Sequence, residues 1–147
     1  MSLEFKNIKK ILIPTDGSNN SMHAAEYGLG IAKMLNAEIM VVFVIDEIVL
    51  EQVARLSQHD VFEDELKMDG QRYIKYVVES AQKAGVRISS MIAEGRPFEQ
   101  IVHLAKDFNM DLIVMGSYGR RGADRILVGS VTERVIEYSP CPVIIVK

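Results

Sequence analysis

Between Gly116 and Ser130 the chain gathers residue types that suit an anion. Gly116-Ser117-Tyr118-Gly119 is followed, after nine intervening residues, by Gly129-Ser130. Gly116 and Gly119 let the backbone approach a ligand closely and adopt positive φ. Gly129-Ser130 opens a helical stretch, where free N–H groups, a hydroxyl and the positive end of a helix dipole coincide. That combination suits a phosphate. Elsewhere, Pro14-Thr15-Asp16 ends an apolar run, and Asp16 is a natural acceptor for ribose hydroxyls. Taken singly these residues are weak signals. Glycines after a parallel strand also serve merely to turn the chain, and Ser130 works equally well as a plain N-cap. Arg120, Arg121 and Arg125 lie within the glycine segment, either to meet outer phosphates or as a solvated loop cluster.

Other chemistries find little support. The chain has no Gly-Lys pair, so a Walker-type phosphate loop is absent. Gly28-Leu29-Gly30 starts a G-x-G inside a helical pattern, with Lys33 in the place of the third glycine. His23, His59 and His103 have no metal-ligand spacing, and there is no G-x-S-x-G nucleophile elbow. The single cysteine, Cys141, excludes an intramolecular disulfide and a Cys-based zinc site, and reads as structural. Asp46, Glu47 and Glu94 fall near strand ends without forming an acid–base pair, so no catalytic residue is assigned. A divalent ion such as Mg²⁺ or Mn²⁺ would be held mainly through phosphates.

The elements that must position these residues alternate in type. Lys10 to Thr15 reads as strand one, closed by the turn cluster Asp16-Gly17-Ser18. Met22, Ala25, Leu29, Ala32 and Leu35 repeat at helical steps behind Ser18 as N-cap. Ile39 to Val44 is strand two, apolar without alternation, as in a parallel strand covered on both faces. Asp46 to Asp60 is mixed, a loop with helical pieces. Phe62, Leu66, Tyr73, Val77, Ala81 and Ala84 describe a long helix that Gly85 terminates. Gly70 within it should cost about 1 kcal/mol relative to Ala.

Val86 to Ala93 is strand three, and Pro97 suits the first position of the next helix. Phe98, Ile101, Val102, Ala105 and Phe108 form that helix's stripe. Asp111 to Met115 is strand four, Ser130 to Tyr138 helix four, and Cys141 to Val146 strand five. Strands separated by helices imply right-handed βαβ crossovers and a doubly wound parallel sheet of five strands and four helices. Ligands of such sheets sit beyond the carboxyl ends of the strands, where strand order reverses. If strand four neighbours strand one, Asp16 and Gly116 face one crevice.

Composition sets the outer bounds. With 147 residues, 48% of them hydrophobic, and a net charge of −3, the chain fits one domain spanning 1–147. Mild acidity argues against a non-specific nucleic-acid binder. The longest apolar run, Ile39 to Ile45, is far short of the roughly 20 residues a membrane helix needs. Met1 to Lys10 is charged and the following apolar stretch stops at Pro14, which is no signal peptide. Asn19-Asn20-Ser21 matches a glycosylation pattern by chance on this reading. The expectation is a soluble, reduced, cytoplasmic protein.

The whole pattern resembles the ATP-binding branch of the universal stress protein family. The resemblance rests on Ile11-Leu12-Ile13-Pro14-Thr15-Asp16-Gly17-Ser18, on Val44-Ile45-Asp46, on Gly95-Arg96-Pro97, on Gly116-xx-Gly119-x9-Gly129-Ser130 and on Pro142-Val143-Ile144-Ile145-Val146. It implies a Rossmann-like sheet, akin to that of the adenine nucleotide alpha hydrolases, with strand order 3-2-1-4-5. It further implies that Pro14, Thr15 and Asp16 flank adenine and ribose, and that Val44 recognises adenine through its backbone. Met115 and Gly116 would line the ribose, while Gly119, Gly129, Ser130, Val131 and Thr132 would hold phosphates. The family pattern does not fix Tyr118, whose ring either covers the nucleotide or faces solvent. ATP or AMP is the implied ligand, and strand five, Val143 to Val146, the implied homodimer edge.

Three functions follow from different classes. The leading one is a nucleotide-responsive regulatory module of a stress response, in which ATP occupancy biases shape or partner surface. The second is an enzyme that slowly hydrolyses ATP or transfers from it. The third, a receiver domain phosphorylated on aspartate, wants an acidic pair after strand one, where Asp16 stands alone.

Overall fold

A computed structural model describes residues 6–55, 59–118 and 128–147. In chain order the elements are β1 (Lys10–Thr15), α1 (Asn19–Leu35), β2 (Glu38–Asp46), α2 (Glu47–Ala54), α3 (His59–Ala84), β3 (Ile88–Gly95), α4 (Pro97–Asp107), β4 (Leu112–Gly116), α5 (Ser130–Tyr138) and β5 (Val143–Val146). The five strands pair in the order β3-β2-β1-β4-β5, all parallel, as expected.

Alternation along each strand divides the core in two. Ile11, Ile13, Val41, Phe43, Leu112 and Val114 point to the layer containing α1 and α3. Leu12, Val42, Ile113 and Met115 point to the opposite layer, with Ile101, Leu104 and Ala105 of α4 and Val135 of α5. Successive side chains of a strand face opposite ways, so an unbroken apolar run feeds both layers at once.

Several local expectations need correction. There are five helices among the described residues, not four, because Glu47–Ala54 folds as α2 with Leu50 buried. Asp46 makes this possible: its Oδ1 accepts the Ile48 N–H at 2.9 Å and caps the helix start. β3 begins two residues later than the apolar pattern suggests and runs on to Gly95. Leu35 and Phe108 are exposed, although both fit helical stripes, because each falls where its helix ends and clears the sheet.

Gly70 also changes meaning. A Cβ there would lie 2.5 Å from Cδ1 of Phe43, a buried ring stacked on Tyr73. The glycine is therefore a close-packing device between α3 and β2 rather than a mere weakness in a helix. Gly70→Ala forgoes the usual gain of about 1 kcal/mol in helix propensity. Overpacking of about 1–3 kcal/mol wins instead, and chemical denaturation should report net destabilisation.

Asp111 fastens the amino ends of β1 and β4 together. Its Oδ2 accepts the N–H groups of Lys9 and Lys10, each at 3.0 Å, and its Oδ1 pairs with Lys6 Nζ at 3.0 Å. Burial alone would raise this carboxyl. The Lys9 amide, the Lys6 ammonium and the Lys10 amide outweigh it and hold the pKa below the usual carboxylate value. A depressed folded-state pKa stabilises the fold above the unfolded value of about 3.9, and that contribution fades as pH falls through the folded value. Asp111→Ala should cost about 1.5–3 kcal/mol at neutral pH. In urea melts the gap between parent and variant should close below about pH 4.

Candidate functional site

β1 and β4 are neighbours whose following helices leave on opposite faces, and this split opens a crevice at their carboxyl ends. The pairing Ile11↔Leu112 and Leu12↔Ile113, continued along the strands, sets Thr15 level with Gly116. Thr15 in turn faces Phe43 of β2, and Gly116 faces Val146 of β5. β2 and β3 do not stop there: they stay paired through Val44↔Ala93, Ile45↔Glu94 and Asp46↔Gly95. β2 thus rises past the end of β1 as a wall. The β1 ladder ends at Thr15↔Phe43, so the backbone of Val44 lies just beyond it.

Short polar side chains build the turn from β1 into α1. Buried Thr15 places its Oγ1 3.0 Å from Ser21 Oγ and accepts the Gly17 N–H at 3.2 Å. Ser21 Oγ accepts the Asp16 N–H at 3.3 Å, and Asp16 Oδ1 accepts the Ser18 N–H at 2.9 Å. Ser18 caps α1 by accepting the Ser21 N–H at 3.2 Å. Gly17 has φ of 80°, and a Cβ on it would collide with the ring of Tyr73 on α3. Asp16 is thereby held at the lip of the crevice with its carboxylate oriented by the backbone of the turn.

The phosphate side is built from β4, β5 and α5. Ser117 donates its N–H to Val146 O at 3.1 Å and accepts the Gly129 N–H at 2.7 Å. Gly129 is the N-cap of α5, so the amides of Ser130, Val131 and Thr132 form the first turn and have no intrahelical acceptor. The helix dipole adds partial positive charge at the same place.

The expected residues therefore divide. The Pro14-Thr15-Asp16 end of β1, the Val44 end of β2, the Met115-Gly116 end of β4 and the Gly129-Ser130 start of α5 all lie at the carboxyl edge of the sheet. The side chains of Met115 and Val131 pack into the α4–α5 core layer, leaving only their backbone for a ligand. Thr132 is turned inward, its buried hydroxyl donating to Gly116 O at 2.9 Å, so it braces β4 rather than offering its side chain to a phosphate. Gly119, Arg120, Arg121 and Arg125 lie outside the described residues.

Sequence reasoning missed Asn20. It is buried in the first turn of α1, its Nδ2 donating to Val146 O at 3.3 Å and its Oδ1 accepting the Tyr118 N–H at 3.1 Å. The tripeptide that matches a glycosylation pattern is in fact two structural residues, Asn20 and Ser21, beside an exposed Asn19. The available signal was a run of short polar residues just behind a strand, the kind that bonds to nearby backbone.

The other acidic and sulfur groups take different places. Asp46 caps α2, Glu47 pairs with Arg96 at 3.5 Å, and Glu94 is exposed. Among the described residues no three His, Cys, Asp or Glu side chains converge on a metal position. Cys141 sits at the opposite, amino end of β5, where burial pushes its thiol pKa up despite the Ser139 hydroxyl. A cavity of about 290 Å³ between α3 and β3, lined by Ile74, Val78 and Met91, is separate from the crevice. Among the described residues no helix is long and apolar enough to cross a membrane.

Known proteins share this arrangement. The family model for the universal stress protein family matches residues 7–147. Universal stress protein MJ0531 of Methanocaldococcus jannaschii is 42% identical over 139 residues, covering 95% of this chain and 82% of that protein. Universal stress protein MJ0577 of the same organism is 35% identical over 153 residues, covering 95% and 94%. The solved structure of MJ0577 superimposes with a TM-score of 0.83 over 97% of each chain, at 32% identity. A universal stress protein in complex with cAMP superimposes with a TM-score of 0.70 over 96% of this chain and 98% of that one. At 24% identity that likeness speaks to the fold. A family match over nearly the whole length, on a sheet of the same order and with relatives alike from end to end, settles the membership: the chain belongs to the universal stress protein family.

Proposed function

We propose that the crevice binds an adenine nucleotide, ATP or AMP, and that the protein works as a nucleotide-responsive regulatory module. The observation that carries this is the meeting of three complementary features at one level of the sheet. The Asp16 turn offers a carboxylate to a ribose. The end of β2 that runs on past the β1 ladder offers the backbone of Val44 to a base edge. The first turn of α5, pinned to β4 through Ser117, offers amides and a positive dipole end to phosphates. A universal stress protein of the same fold has been solved with cAMP, so the fold can seat an adenine nucleotide. The residues at the edge fit such a ligand, with Mg²⁺ or Mn²⁺ entering on its phosphates.

The acids near the crevice mouth serve the fold, Asp46 as a cap and Glu47 in an ion pair, so the reading is of binding rather than turnover. Calorimetric titration of the protein with ATP and with GTP tests it. A base edge read by backbone groups near Val44 should favour ATP by about tenfold or more, the worth of one or two hydrogen bonds. Equal affinities, or no binding of either, would remove the reading.

We also propose that the protein is a homodimer through β5. Among the described residues this strand pairs only with β4, and Ile144 is exposed in a single chain. An unprotected apolar edge invites a second strand.

A further inference from the structure

We propose that Asn20 is the positioning residue of the phosphate side of the crevice, aiming the first turn of α5 through the β4 turn. This inference rests on the crevice being a nucleotide site. It draws on a side chain whose two hydrogen bonds go to Val146 and Tyr118 rather than to the groups offered to the ligand. The amide of Asn20 is buried and uses both its polar atoms on backbone, one on Val146 O at the end of β5 and one on Tyr118 N just past β4. Between those anchor points runs Ser117, whose N–H also reaches Val146 O and whose carbonyl holds the Gly129 N–H at 2.7 Å. Gly129 caps α5. A displacement at Asn20 therefore passes to Tyr118 and Ser117, then to Gly129, and so to the amides of Ser130 to Thr132.

Contact geometry makes the coupling stiff. The backbone of Gly116 lies so close to Asn20 that a Cβ on Gly116 would overlap its Oδ1. Thr132 holds Gly116 from the other side at 2.9 Å. β4's end is clamped between α1 and α5, and Asn20 is the α1 jaw. The base and the Asp16 side of the ribose are met by other parts, the end of β2 and the β1 turn, in which Asn20 takes no bond, and Gly116 on the ribose's other side is also held by Thr132. Losing Asn20 should thus disturb phosphate recognition and spare the nucleoside.

The test compares ATP with adenosine on parent and variant proteins, using calorimetry for ATP and NMR titration for the weaker nucleoside. In Asn20→Ala, ATP affinity should fall about tenfold while adenosine affinity stays within about twofold, a selective loss matching one or two hydrogen bonds. Asn20→Ser keeps a small polar group and guards against an alanine variant that does not fold; its ATP affinity should fall between the two. Unchanged ATP affinity in a folded variant overturns the proposal. So does an equal fall for ATP and adenosine, which would mark Asn20 as a general support of the fold. If the parent binds neither ligand, the nucleotide reading itself fails and this inference with it.

Discussion

Gly116→Val is expected to lower ATP affinity on the order of 100-fold, about 2.7 kcal/mol. The first Cβ atom alone would overlap Asn20 Oδ1 and stand 2.9 Å from its Cγ and 3.2 Å from its backbone carbon. The carboxamide has somewhere to swing only by abandoning Tyr118 N and Val146 O. The backbone carbon belongs to the first turn of α1 and yields only if the helix shifts. Either response moves the level at which Gly116 meets Val146 and releases Thr132 from Gly116 O. Overpacking should also lower stability by about 1–3 kcal/mol, which urea denaturation would register. Gly30→Ala is the control, since a Cβ there meets nothing within 4 Å, and it should leave ATP affinity as in the parent. A folded Gly116→Val protein with full ATP affinity would place the ligand somewhere other than this crevice.

Ile144→Lys should convert the proposed dimer to a monomer at tens of micromolar by light scattering, with the monomer's melting behaviour little changed. Ile144 is 37% exposed in the single chain, so a lysine there disturbs little of the monomer's packing. Across a two-fold axis the same position meets its own copy or its neighbours, and a charge would be brought close to an identical charge. Among the described residues, the helix that follows β2 does not cover this edge. α2 packs instead beside β2, β3 and α3, on the far side of the sheet from β5. Light scattering that finds the parent already monomeric would remove the interface.

How much of this was legible depended on the range of the interaction responsible. Strand one, the span of the last helix and the N-cap Ser18 follow from local chemistry. A run of apolar residues between turn formers, or a serine before a helical stripe, acts over a few residues. The sheet order came from resemblance in motif order and agrees with the observed pairing. α2 was legible only as a helical piece of a mixed segment, because eight residues give little more than two turns of pattern and the helix is held by the Asp46 cap and by burial of Leu50, only one of which is local. Leu35 and Phe108 show the converse error. Periodicity assigns a face but not where the helix passes the edge of the sheet.

By itself the sequence determined the alternation of strands and helices, and which glycines, carboxylate and serine stand at strand and helix ends. Those are matters of near-neighbour sterics and hydrogen bonding. Only the tertiary structure decided the duties of Asn20, Gly70, Gly116 and Asp111. Asn20 meets Val146 and Tyr118, and Asp111 meets Lys9 and Lys10, across gaps of about a hundred residues or more in the chain. Gly70 and Gly116 are glycines because a ring and a carboxamide from other elements fill the space a side chain would need. Such constraints leave no periodic trace, since the partner that imposes them arrives only when the sheet has assembled.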